Sequence, residues 1–169
     1  MPRILIDARD ATAKQIRGLG RYTRELVRAL LAGAAPDLEI VATIGSGAAP
    51  EVAYEQLWLP VLARRRRAAV VHAPNCFLPL LRPCPGVVTI HDLAFEAWPA
   101  DFPPVTAAKF RTVTRLAARS AQRIICPSQA TADDVCRRYG VDPGKAGHPG
   151  GAGAGAGLGG HFRGNATRG

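Results

Sequence analysis

The sequence predicts an α/β protein built on a parallel sheet. Short apolar runs alternate with segments whose apolar residues recur at helical spacing, and the runs are continuous and do not alternate with polar residues. Continuous apolar strands are typical of a sheet that helices cover on both faces. The chain has 169 residues with 47% hydrophobic content, which suits one domain with a full core.

The first half of the chain contains two strands and two helices. Residues 3–8 (RILIDA) predict a buried strand, and the apolar residues of 21–32 recur at the spacing of a helix. Residues 39–44 (EIVATI) predict the second strand. Residues 54–67 predict a second helix, which Pro60 must kink or divide because proline lacks a backbone N–H.

The second half repeats the alternation. Residues 69–72 and 87–91 (VVTIH) predict strands, and 104–121 predict a helix whose first residue is a proline, which suits its first turn. Residues 123–126 (RIIC) predict a fifth strand, and Thr131 opens a last helix as a variant capping box. Parallel strands joined by right-handed helical crossovers form a Rossmann-like architecture.

The end of the chain differs from the rest. Residues 144–169 hold 11 of the 18 glycines. We therefore divide the chain into one domain over 1–145 and a Gly/Ala-rich tail over 146–169. The tail is expected to be disordered and to contribute nothing to a functional site.

Composition narrows the function classes. The net charge is +9, but Arg outnumbers Lys 19 to 3 and aromatic residues are only 6% of the chain, so we expect no nucleic-acid partner. No apolar run could span a bilayer, and the acidic N-terminus is unlike a signal peptide, which predicts a cytoplasmic protein. We expect no metal site, and the cysteines are read as reduced structural thiols: Cys76, Cys84, Cys126 and Cys136.

Polar residues follow three of the predicted strands. His72 and Asn75 follow the third, His91 and Asp92 the fourth, and Ser128 the fifth. Ligands of open parallel sheets bind at this carboxyl edge. His91 is either a proton-transfer or substrate-binding group or a structural histidine under a loop. Asp92 binds substrate, orients a neighbour, or caps the next turn.

Two glycines precede the first predicted helix, in Gly18-Leu19-Gly20. They allow backbone N–H groups to approach a phosphate at the positive helix end, or they form an ordinary glycine turn. A dinucleotide fingerprint is disfavoured because Thr23 replaces its third glycine and ten residues separate Asp7 from Gly18.

A run of four arginines, 64–67, ends the second predicted helix. It is either a solvated helix end or a membrane-docking element whose Leu57, Trp58 and Leu62 enter the interface. The second interpretation would place the protein at the inner face of the membrane.

Several segments together resemble a known family. They are GLGRYTRELVRAL, YEQLWLP, VVHAPN, VVTIHDLAFEAWPADFP and RIICPSQATADDVCRRYGVDPGK, which span about 4–145 in order. They resemble the N-terminal domain of GT-B glycosyltransferases of family four (group 1). The resemblance implies a second Rossmann-like domain, with the active site between the two. It also implies retaining transfer of a hexose, often mannose from GDP-mannose, to a glycan or lipid-linked acceptor, without a metal or other cofactor.

The resemblance also implies roles for individual residues. Gly18, Gly20 and Arg21 would form the loop that approaches the donor phosphates. His91 would lie at the reaction centre with Asp92 beside it. Three residues would line the acceptor cleft: His72, Asn75 and Ser128.

The chain departs from the family after Lys145, where a final strand and the crossing into the donor-binding domain belong. If residues 148–151 (HPGG) were encoded CAT-CCC-GGC-GGG, reading one base later would give Ile-Pro-Ala-Gly, which matches the missing crossing. We therefore expect a truncated chain that is inactive or very weakly active alone, and whose ending is either a frameshift or a genuine Gly/Ala-rich tail. The alternative is a non-catalytic module that binds a sugar or a partner.

Overall fold

The computed structural model describes residues 1–12, 17–44 and 51–149, with only the backbone of Glu51. The described part contains a single parallel sheet in the order β2-β1-β3-β4-β5-β6. Its strands are β1 Arg3–Ile6, β2 Glu39–Ala42, β3 Val70–Ala73, β4 Gly86–Thr89, β5 Arg123–Ile125 and β6 Ala146–Gly147. The Rossmann-like α/β class predicted from the continuous apolar runs is confirmed.

Helices connect the strands. The α-helices are α1 Gly18–Gly33, α2 Glu51–Ala53, α3 Leu59–Arg65, α4 Ala94–Ala97, α5 Pro104–Ser120 and α6 Gln129–Tyr139. Short 3₁₀ turns cover Arg9–Thr12, Pro99–Asp101 and Pro143–Lys145. Helix α1 begins three residues earlier than the apolar pattern predicts, so both glycines of the Gly18-Leu19-Gly20 sequence lie in its first turn.

The helical segment around Pro60 is continuous. Helix α2 passes into a π-helical stretch, Tyr54–Trp58, and then directly into α3. The backbone N–H of Leu59 donates to the carbonyl of Tyr54, five residues earlier, as in a π-helix. Pro60 lies in the first turn of α3, where a missing N–H is tolerated, so it does not divide the helix.

The core lies between the sheet and the helices. Val71, Val88 and Ile124 of the central strands are completely or almost completely buried. Tyr139 at the end of α6 is also fully buried and belongs to the same apolar cluster. Burial on this scale is the main favourable term in folding, and it holds the carboxyl ends of the strands in fixed positions.

Strand β6 extends the sheet past the predicted domain boundary at Lys145. Ala146 lies opposite Ile124 in the parallel ladder, and the Cys126 N–H donates to the Gly147 carbonyl at 2.8 Å. The final strand expected to be missing is therefore present, although it is two residues long. The rest of the predicted tail, 150–169, lies outside the described residues.

Candidate functional site

The strand order places a topological switch point between β1 and β3. The chain passes from β1 outward to β2, and then returns to add β3, β4, β5 and β6 on the other side of β1. Connections at such a point leave the sheet in opposite directions and open a crevice at the carboxyl edge. The residues that follow β1, β3 and β4 are therefore the candidates for a ligand site.

His91 is the half-buried imidazole at this edge, two residues beyond β4. Its Nε2 lies 3.0 Å from the carbonyl oxygen of Pro74. A carbonyl only accepts, so Nε2 carries the proton and donates this bond. The ring of Tyr22 packs edge-on against the imidazole, with ring centroids 4.7 Å apart at 87°. Because Nε2 carries the proton, Nδ1 of the neutral ring is a hydrogen-bond acceptor.

The loop after β3 supports His91 from one side. Cys76 has a positive φ of 69°, and its N–H donates to the Thr89 carbonyl at 3.2 Å, which folds the loop over the end of β4. Asn75 is buried, and its Oδ1 accepts from the Phe77 N–H at 3.3 Å. These bonds fix the Pro74 carbonyl beside the imidazole. Asn75 thus acts first as a turn residue.

Helix α1 contacts His91 through the ring of Tyr22. Arg17 precedes the helix in an extended conformation and makes no side-chain capping bond. Gly18 is exposed with open space where a Cβ would lie, and Gly20 is buried. Tyr22, the fifth residue of α1, touches the imidazole one turn from the start of the helix. Arg21 is exposed on the same turn. The glycines are therefore helical, and the prediction that they form a loop before the helix is wrong.

Asp92 and Ser128 begin the next helices. The exposed Asp92 accepts the Ala94 N–H at 2.9 Å through Oδ1, at the start of α4. The Ser128 Oγ accepts the Thr131 N–H at 3.2 Å and is the N-cap of α6. The Thr131 hydroxyl donates to the His91 carbonyl at 3.4 Å, which joins this helix end to the same site. Of the roles left open for Asp92, the structure contains the capping role.

His72 does not lie at the edge. Strand β3 continues to Ala73, so His72 is an interior residue of the sheet and only 5% exposed. Its Nε2 lies 2.9 Å from Thr89 Oγ1 on the neighbouring strand. Burial lowers the pKa of His72 to about 4, because the charged form loses its hydration. His72 is therefore buried in the sheet in this chain, and its place in a ligand cleft stays a prediction.

A buried ion cluster lies at the ends of β1 and β2, and sequence reasoning missed it. Arg9 forms a bidentate pair with Asp7, at 2.7 and 2.9 Å, and reaches Glu55 at 3.1 Å. The guanidinium also lies 3.9 Å from the centroid of the Tyr54 ring. Burial by itself lowers the pKa of Arg9, and the two carboxylates more than reverse that effect. The cluster links the connection after β1 to the helical segment before β3. The sequence pattern does not reveal the pairing of Arg9 with Glu55, because these residues are 46 positions apart in the chain.

Other features of the described residues lie away from this edge. Two hollows border α5, of about 360 Å³ and about 120 Å³, and neither is lined by His91 or α1. The four cysteines are free. Within 1–12, 17–44 and 51–149, no three His, Cys, Asp or Glu side chains are grouped to hold a metal ion. In the same ranges, no helix has the length and apolarity needed to cross a membrane.

The fold and the edge define the class of protein. It is a Rossmann-like domain with a candidate ligand site at its switch point, built from the start of α1, the loop after β3 and His91. The chain belongs to Glycosyltransferase Family 4, whose family model matches residues 16–147. A search of curated proteins found no match. The matched range contains every residue predicted for the site.

Proposed function

We propose that the chain is the acceptor-side domain of a retaining glycosyltransferase of the GT-B type. The substrates are a nucleotide-sugar donor, GDP-mannose being the leading example, and a glycan or lipid-linked acceptor. The observation that carries the proposal is the contact between His91 and Tyr22, which joins the imidazole to α1 one turn from the start of that helix. We propose that the imidazole binds the sugar and that the helix end, which favours anions, binds the diphosphate.

The reaction assigns these groups different tasks. The bond between the anomeric carbon and the donor diphosphate breaks, and the acceptor oxygen bonds to that carbon on the same face. The acceptor proton passes to the leaving diphosphate. Negative charge therefore grows on the diphosphate, and the N–H groups of the first turn of α1 stabilise it there together with Arg21.

His91 binds and orients the transferred sugar. Its Nε2–H is committed to the Pro74 carbonyl, so the neutral ring presents Nδ1 as an acceptor for a sugar hydroxyl. The edge-on packing of Tyr22 prevents the ring from turning away. Ser128 and Asn75 hold the surrounding turns, and Asp92 fixes the start of α4 beside the sugar. This arrangement needs no metal ion.

The remaining stabilisation of the diphosphate belongs to a donor-binding domain. The proposal is therefore that this chain binds substrate and that, alone, it transfers sugar at most in traces. A transfer assay with labelled nucleotide sugars tests this point. Robust turnover by the isolated chain would contradict it.

Histidine-selective NMR tests the site itself. A panel of GDP- and UDP-sugars is titrated into the isotope-labelled chain, and the imidazole signals of His91 are followed with the backbone amides of Gly18, Gly20 and Tyr22. All four are expected to shift together. His72 is the internal control, because it is buried one strand away and its signals are expected to stay in place.

Two outcomes would overturn the site. One is the absence of any shift at His91 and α1 across the whole panel. The other is a set of shifts confined to the hollows beside α5, which would favour the non-catalytic binding module instead.

A further inference from the structure

The helical segment 51–65 exposes an apolar face. Leu57 is 69% exposed, Trp58 50% and Val61 42%, although each is a large apolar side chain. Leu62, which the sequence pattern had grouped with Leu57 and Trp58, is instead partly buried against the core. Val61, four residues after Leu57, lies on the exposed face.

Arginines continue this face toward the C-terminus of α3. Arg64 and Arg65 follow Leu57, Trp58 and Val61 at the spacing of one helical stripe. The next two residues are also arginines, and all four side chains are exposed. None of the four forms a salt bridge with a carboxylate whose side chain the structure describes. Arg3, by a hydrogen bond, and Arg66, through space, lower the pKa of Glu39. No described carboxylate forms a salt bridge with the other three arginines of 64–67, whose charge is open to an anionic partner.

The loop after β3 widens the apolar area. Gln56 Oε1 accepts the Leu80 N–H at 3.0 Å, and Gln56 Nε2 donates to the Leu78 carbonyl at 3.4 Å. These two bonds hold the loop against the helix. Leu81, the next residue, is 85% exposed and Leu80 41%. Both leucines therefore lie in a loop that is bound to the helical segment carrying the apolar face.

We propose that this apolar–basic face, formed by Leu57, Trp58, Val61, Leu81 and Arg64–67, docks on the surface of an anionic lipid bilayer. The apolar side chains enter the boundary between headgroups and acyl chains, where tryptophan is favoured, and the guanidinium groups bind the lipid phosphates. A second copy of the chain is a poor occupant, because symmetric pairing would bring two arginine clusters together. The inference does not rest on the proposed glycosyl transfer.

Vesicle co-flotation tests the proposal. The full chain is mixed with vesicles of equal parts phosphatidylglycerol and phosphatidylcholine, and separately with phosphatidylcholine alone. We expect binding to the anionic vesicles only. Trp58→Asp is expected to weaken it about tenfold, since it places a charge in the interface. Replacing all four arginines of 64–67 by Gln is expected to weaken it by at least about tenfold.

Each variant has a matched control. Trp98→Asp alters another exposed tryptophan, which follows α4 in the connection between β4 and β5 and lies outside the proposed face, and should bind as the unmodified chain does. The control for the arginine variant replaces four arginines elsewhere by Gln and so removes the same net charge. It should weaken binding far less, and its positions are Arg24, Arg28, Arg137 and Arg138. Thermal melts followed by circular dichroism confirm that each variant is folded before it is compared.

Three results would overturn the inference. The first is the absence of flotation with anionic vesicles. The second is equal loss in the arginine variant and its control, which would mean that net charge alone attracts the lipid. The third is a dimer in solution that Trp58→Asp dissociates, which would make the face an interface between two copies.

Discussion

Two histidines near the ends of neighbouring strands, His72 and His91, lie in different environments. His72 lies inside β3, against Thr89, whereas His91 lies two residues past β4 and is only partly buried. Both histidines end apolar runs in the sequence, so the local pattern does not tell which of them is buried in the sheet. What separates them is the point at which each strand ends. His91 lies beyond the sheet, and His72 lies within it.

The burial of His72 predicts a loss of stability in mild acid. Its folded pKa of about 4 lies below the ordinary value of 6.5, so the unfolded chain binds a proton first. The stabilisation by neutral His72 is complete above pH 6.5 and declines as the pH falls toward 4. Between pH 6.5 and about pH 5, the free energy of unfolding should fall by about 2 kcal/mol through this residue alone.

Urea unfolding of the unmodified chain and of His72→Gln measures this effect. The glutamine retains a group able to bond Thr89 but has no titration in this range. The difference in stability between the two proteins should shrink by that amount as the pH is lowered. A difference that is constant with pH would show that His72 is accessible to protons in the folded state.

At the scale of elements, the start of each helix decides where the polar groups point. Helix α6 begins with Ser128 as its N-cap, three residues before the Thr131 that the sequence pattern favoured. The other end is closed by Gly140 with a φ of 63°, whose N–H donates to the Cys136 carbonyl. Because Ser128 is the N-cap, the Thr131 hydroxyl is not needed as a cap, and it donates to the His91 carbonyl. The predicted cap was wrong because Ser128 already satisfies the Thr131 N–H.

Removing this cap should destabilise the domain. Ser128→Ala leaves the Thr131 N–H without its acceptor and is expected to lower the free energy of unfolding by about 1 kcal/mol. Ser128→Asp retains an acceptor at the N-cap and should preserve stability. Guanidinium unfolding midpoints of the three proteins provide the measurement. Equal midpoints for Ser128→Ala and the unmodified chain would contradict the capping role.

At the scale of the whole molecule, the position of β6 indicates where the sequence departs from the family. The family match and β6 both reach residue 147, immediately before the HPGG sequence at 148–151. We predict that the coding DNA from codon 148, read one base later, encodes a second Rossmann-like domain. Sequencing of the genomic region decides this. A shifted frame that contains early stop codons, or that encodes an unrelated protein, would refute the prediction.

The sequence by itself determined the α/β class and the existence of five strands and of the long helices. These features depend on local patterns, since a strand buried on both faces must be a continuous apolar run. For the same reason the strand boundaries differ by at most a few residues, as in β1, predicted over 3–8 and observed as Arg3–Ile6. The position of His91 just past β4 was predicted because a polar residue after such a run marks the edge of the sheet.

Only the tertiary structure decided which polar residues meet. Tyr22 reads as one apolar position of α1, yet its ring is the contact that joins the helix to His91. Arg9 and Glu55 lie 46 residues apart and pair only when β1 and the helical segment 51–65 are packed together. Desolvation and Coulomb attraction depend on distance in space and on burial. Neither quantity is encoded in the spacing of residues along the chain.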